Sequence, residues 1–149
     1  MARFVRDVMT SAVASVRPDA SLVEAAQLMR AQDIGDVLVA KDGVLLGVVT
    51  DRDIALRAVA DGADPLTVSC QSVCTPEPVC VGPDDDLATA ATLMRLNAVR
   101  RLPVVEGGHP VGVVSISDVA QAQDPDSVPA RIGEAAPDGW PEADDGSRR

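Results

Sequence analysis

Apolar residues along this chain switch between two spacings. Short runs at 13–16 (VASV), 37–40 (VLVA) and 45–49 (LLGVV) are rich in branched side chains, and turn residues bound them, which predicts strands. Between the first two runs the period lengthens. Leu22, Ala25, Ala26 and Met29 fall on one face behind Ser21 and Glu24, which are spaced as a capping box, and predict a helix over 22–32. The third run is followed by a second helical stretch from about Arg52 that stops at Gly62, a fitting C-cap. The whole order then returns. PVCV at 78–81 reads as a strand, and LATAATLMRLN at 87–97 as a helix capped by Asp86. LPVV at 102–105 and VGVV at 111–114 read as strands on either side of the turn EGGHP, and a last helix spans about 117–123.

Shifting the chain by 65 positions superposes the halves without a gap from Val8 to Ala120, pairing Thr10 with Thr75, Pro18 with Pro83, Met29 with Met94 and Gly47 with Gly112. Such a duplication decides architecture. The fold class expected is α/β (α+β): tandem pseudo-twofold repeats, each strand-helix-strand-strand-helix, with their sheets packed together. Units of some fifty residues are too small to bury a core alone, so the two must share one. The boundaries read as 5–62 and 63–123. Residues 124–149 hold seven acids and three arginines among Pro, Gly and Ala, and are expected to form a flexible acidic tail.

Composition narrows the chemistry. The only aromatic residues are Phe4 and Trp140, and the net charge is −10, so neither a base-stacking platform nor a basic groove is available and nucleic acid is excluded as a partner. No apolar run reaches the length of a membrane span, and the N-terminus lacks the apolar core of a secretory signal. A cytoplasmic protein with no membrane partner is expected. The cysteines Cys70, Cys74 and Cys80 are odd in number and clustered, which argues against a disulfide framework. Cys70 and Cys74 are spaced to share a helix face. Paired Cys-x-x-Cys motifs are absent, however, and the only histidine, His109, lies in a turn, so no metal site is assigned.

The longest repeated stretch is GVVTDRDIA at 47–55 and GVVSISDVA at 112–120. A hydroxyl followed three positions later by an acid, between strand and helix, is a capping box taken by itself. The same parts also suit a nucleotide: a glycine that lets a ligand approach, unpaired helix amides, and a carboxylate able to accept ribose hydroxyls. With DVMTSAVASVRPDASLVEAAQLM, GVVTDRDI, RRLPVV and GVVSISDV in this order, the chain resembles the CBS domain pair, or Bateman module, over about residues 5–122. The resemblance implies two clefts for adenosine-containing ligands such as AMP, ATP or S-adenosylmethionine. Thr50 and Asp53 would serve one cleft, and Ser115 and Asp118 the other. Arg100 and Arg101 would approach phosphates, making AMP bind tighter than adenosine, and Thr10, Val13, Thr75 and Val79 would line the adenine side. Where the second repeat has Arg100 and Arg101, the first has Gly35 and Asp36, so its cleft is the poorer phosphate site, with only Arg52 to compensate.

No nucleophile is matched to a histidine, and neither a carboxylate cluster nor a Walker-type loop occurs, so no enzyme is expected. No cofactor is obligatory. The leading expectation is a regulatory sensor that binds an adenine nucleotide and signals to an unidentified protein. The alternative is a ligand-free dimerisation module, and a redox- or metal-responsive protein acting through the cysteines ranks third. Ile54, Val59 and Val119, on the helices that close the repeats, are read as surplus apolar surface for a homodimer.

Overall fold

Two hairpins frame the protein, whose computed structural model describes residues 2–123; the expected tail lies outside the described residues. In the first repeat, β1 (Ser15–Val16) leads through α1 (Leu22–Gln32) to the antiparallel pair β2 (Asp36–Lys41) and β3 (Val44–Thr50). Then come α2 (Asp51–Ile54), continuing as a π-helical turn over Ala55–Val59, the short α3 (Cys70–Val73) and β4 (Thr75–Pro76). The second repeat comprises α3 and β4 together with α4 (Leu87–Leu96), the hairpin β5 (Arg101–Glu106) and β6 (His109–Ser115), and α5 (Ile116–Gln123). The sheets run β1-β2-β3-β4 and β5-β6. Both hairpins carry a bulge at the same place, between Val39 and Ala40 and between Val104 and Val105. Among the described residues no helix is long and apolar enough to cross a membrane.

The strand expected at 78–81 is reduced to a single parallel bridge between Val81 and Val104. The cause is one proline. In the first repeat Leu38 N–H donates to Ala14 O at 2.9 Å, but its counterpart 65 positions on is Pro103, which has no N–H to give. Two capping expectations also need correction. Ser21 Oγ accepts from Glu24 N at 3.1 Å, but only that half of the box forms. Asp86 makes no side-chain cap. Arg3 O takes the Leu87 N–H at 3.1 Å, as Val68 O takes that of Leu22 at 3.2 Å, so the N-terminal segment lies against the start of α4.

That segment reveals how the repeats share their interior. Val5, in a 3-10 turn over Val5–Asp7, is fully buried with Leu87, Met94, Leu102 and Val104 of the second repeat. Cys70 and Val73 of α3 pack with Leu22, Val37, Val39 and Val49 of the first. Each repeat's leading residues thus complete the other's core, as units this small require. The turn is held by the Asp7 carboxylate, which accepts from Phe4 N at 2.9 Å and Arg3 N at 3.1 Å; those bonds keep its pKa below the ordinary value.

Val119 is not surplus surface. It is 1% exposed in the second core, and Ile54 packs half-buried against the first, because the closing helices turn these positions inward. Of the three residues read as a dimer face only Val59 is exposed, joined by Leu56 one helical turn before it.

Candidate functional site

Both hydroxyl/acid pairs close as capping boxes. Thr50 N donates to Asp53 Oδ2 at 2.9 Å and Asp53 N to Thr50 Oγ1 at 3.0 Å; Ser115 N donates to Asp118 Oδ2 at 2.9 Å and Asp118 N to Ser115 Oγ at 3.0 Å. Each box commits one carboxylate oxygen to one amide. An ionised carboxylate offers about four lone-pair positions, so capping and ligand binding are compatible uses of one side chain.

The two carboxylates differ in what faces them. Arg57, one turn beyond Asp53, brings Nε to 3.7 Å from Asp53 Oδ1 and donates from Nη1 to Val73 O at 3.1 Å, clipping α2 to the end of α3. The corresponding position after Asp118 is Ala122, so α5 offers Asp118 no guanidinium. A shallow depression at Asp118 is lined by Ala2, Val8, Gln121 and Ala122.

The strand registers gather the remaining candidates into two groups. Thr10 pairs with Val113 through bonds of 2.9 and 3.0 Å, and Arg101 lies across the ladder from Ser115, so Thr10, Arg101, Ser115 and Asp118 share one end of the second hairpin. Thr75 pairs with Val48 and Asp36 with Thr50, which brings Thr75, Asp36, Thr50 and Asp53 together in the first. Arg100 is exposed, its carbonyl accepting from Ile116 N at 2.8 Å as Gly35 O does from Asp51 N at 2.9 Å. Val13 follows Thr10 by three residues. The chain crosses from β6 at Thr10 to β2, where Ala14 O takes the Leu38 amide, and Val13 is half-buried on that crossing. Val79 lies on the equivalent crossing from β3 at Thr75 to β5 at Val81.

The repeated glycine does not make room for a ligand. A Cβ on Gly47 would sit 2.7 Å from Cys74 Sγ and 2.8 Å from Thr75 O, and one on Gly112 would sit 2.8 Å from Met9 Sδ and 2.9 Å from Thr10 O. The glycine admits the chain's own crossing segment. Cys74 and Met9 occupy the same place in the two repeats, as do Cys70 and Val5, so these cysteines stand where the other half uses ordinary packing residues. Cys70 Sγ donates to Ser21 O, Cys74 Sγ to Gln71 O and Cys80 Sγ to Pro78 O. Burial pushes the Cys70 thiol up to about 11, with the charge of Glu24 adding to it, and raises Cys74 and Cys80 as well. Protonated thiols are poor nucleophiles, and the described residues contain no group of three or more His, Cys, Asp or Glu placed to hold an ion.

Two further polar links between the repeats escaped sequence reasoning. Arg101 Nη1 donates to Asp36 Oδ1 at 3.0 Å. His109, the first residue of β6 rather than a turn residue, has Nδ1 2.7 Å from Gly43 O, while Leu45 N donates to Gly108 O at 3.0 Å. The histidine is a substitute donor. Leu45 and Pro110 are equivalent, and the proline has no N–H with which to return the bond. The 65-residue offset was the available clue, since Asp36 and Arg101 occupy one repeat position, as do Gly43 and Gly108.

Two doubled units that exchange core segments and set matching strand-to-helix junctions beside the crossings define a tandem α/β module. The chain belongs to the CBS domain family, which matches residues 5–59 and again 70–124. It is 42% identical over 119 residues to the CBS domain-containing protein YhcV of Bacillus subtilis, covering 80% of this chain and 84% of that one. Hypoxic response protein 1 of Mycobacterium tuberculosis is 33% identical over 117 residues, 78% of this chain and 82% of its own. A crystal structure of hypoxic response protein I with two coordinated zinc ions superposes with a TM-score of 0.74 at 33% identity, over 79% of this chain and 97% of that one. The CBS domain pair of protein MJ0100, solved with 5′-methylthioadenosine and S-adenosylmethionine, has the same fold. Its TM-score is 0.74 at 21% identity, over 83% of this chain and 98% of that one.

Proposed function

We propose that this CBS pair is a cytoplasmic, homodimeric sensor that binds an adenosine-containing ligand and signals its occupancy to a partner protein. One observation carries the reading. Asp118 shares one end of the second hairpin with Thr10 and has one oxygen committed to its box and, unlike Asp53, no arginine one turn on. The second cleft is therefore the better one, with Ser115 and Asp118 at the ribose, Thr10 and Val13 beside the base, and Arg100 and Arg101 toward the 5′ end. The first cleft, with Thr50, Asp53, Thr75 and Val79, is secondary. The adenosyl ligands of the MJ0100 pair support the choice of ligand class.

Calorimetry on the full chain tests it. Each ribose hydroxyl bonded to a carboxylate contributes roughly 1.5 to 3 kcal/mol, so Asp118→Ala should weaken binding at least about tenfold, and Asp53→Ala less. Loss of the cap alone lowers stability by about 1 kcal/mol and leaves affinity unchanged. Unchanged affinity in Asp118→Ala refutes the assignment. A second reading, a ligand-free assembly module, draws on the closure of both boxes as caps. A thermal-shift screen separates the two, because a ligand at a hundred times its dissociation constant adds ~2.7 kcal/mol.

A further inference from the structure

The Asp36–Arg101 contact has three properties beyond its 3.0 Å length. Its partners occupy the same position in the two repeats, so the contact straddles the pseudo-twofold axis, where like residues would repel and opposite charges attract. The side chains are only 28% and 21% exposed, which places the pair between the repeats rather than on a solvent-screened surface. The ladder registers set Arg101 across from Ser115 and Asp36 across from Thr50, so each end of the pair flanks one hydroxyl/acid box. An anion reaching Arg101 from the second cleft meets the Asp36 carboxylate already bound there. An anion in the first cleft meets that carboxylate directly. The field of a chain with net charge −10 acts in the same sense on any polyanion.

Building on the adenosine reading proposed above, we infer that Asp36 is the specificity-determining residue of both clefts. By holding Arg101 it selects adenosine compounds whose 5′ substituent is neutral or cationic over nucleoside phosphates. This reverses the ligand order that Arg100 and Arg101 suggest from sequence. Asparagine at position 36 keeps an oxygen for the Arg101 N–H and removes the competing charge, whereas glutamate keeps the charge.

Calorimetry with adenosine, S-adenosylmethionine and AMP on the wild type, Asp36→Asn and Asp36→Glu provides the test. In the wild type, adenosine and S-adenosylmethionine bind at least as tightly as AMP. In Asp36→Asn the affinity for AMP rises about tenfold, the gain of one charge-assisted hydrogen bond, while adenosine stays within about twofold. Asp36→Glu keeps the wild-type order. Wild-type protein that binds AMP about tenfold tighter than adenosine overturns the inference whatever the variants do. So does a folded Asp36→Asn with an unchanged AMP-to-adenosine ratio, which would leave the adenosine reading standing. If none of the three compounds binds the wild type or Asp36→Asn, the adenosine reading fails and the inference falls with it.

Discussion

Replacing Gly112 by alanine places a methyl group 2.8 Å from Met9 Sδ and 2.9 Å from Thr10 O, where ordinary contact begins near 3.4 Å. The thioether can swing aside. The carbonyl cannot, because Thr10 is tied to Val113 by reciprocal backbone bonds of 2.9 and 3.0 Å. Making room for the methyl therefore means shifting the crossing segment by about half an ångström or weakening both bonds. Overpacking costs about 1 to 3 kcal/mol. Two weakened hydrogen bonds add about 1 kcal/mol more, for a total of roughly 2 to 4 kcal/mol. For a unit of this size that lowers Tm by roughly 8 to 16 °C. Thermal and urea unfolding followed by circular dichroism measure it, with Gly62→Ala as the control. Gly62 has no neighbour within 4 Å and a φ of 71°, so alanine there incurs only the left-handed strain of about 1 kcal/mol. Gly47→Ala should repeat the Gly112 result against Thr75 O at 2.8 Å. If Gly112→Ala melts no lower than Gly62→Ala, the crossing segment is not fixed there. A loss of ligand affinity at unchanged stability would return the glycine to the role of admitting a ligand.

Val5→Ala should destabilise the protein by roughly 1 to 3 kcal/mol and reduce amide protection in α4 and β5, since Val5 completes that core; an effect under about 0.5 kcal/mol refutes the exchange of segments. The Cys70 thiol titrates near 11 when folded and near 9.0 when unfolded, so the unfolded chain releases its proton first as pH rises. Stability present below pH 9 is therefore lost between about pH 9 and 11, by roughly 2 to 3 kcal/mol, and Cys70→Ala should remove that step from the pH dependence of urea unfolding. An identical alkaline slope in the variant excludes Cys70 as its source. Leu56 and Val59 are 54% and 63% exposed on one helical stretch, and Leu56→Asp with Val59→Asp should halve the mass seen by light scattering. A monomeric wild type at about 50 micromolar rules out the homodimer.

The period of the apolar residues determined the helix over 22–32, both hairpins and the duplication, because a strand or helix that buries one face must write that face into local spacing. The boxes at Thr50/Asp53 and Ser115/Asp118 were equally legible, since a cap joins residues three apart. Tertiary structure decided what depends on distant neighbours. Val5 and Cys70 look alike to periodicity, yet each is buried in the repeat it does not lead. Gly47 and Gly112 read as openings for a ligand until the crossing segments were seen to fill the space. A strand was lost at 78–81 because its partner amide belongs to Pro103, some twenty residues away. The charge of Arg101 was plain in the chain, but its use was not. A guanidinium binds whichever carboxylate or phosphate the fold brings within about 3 Å, and only the packing of one repeat on the other brought Asp36 there.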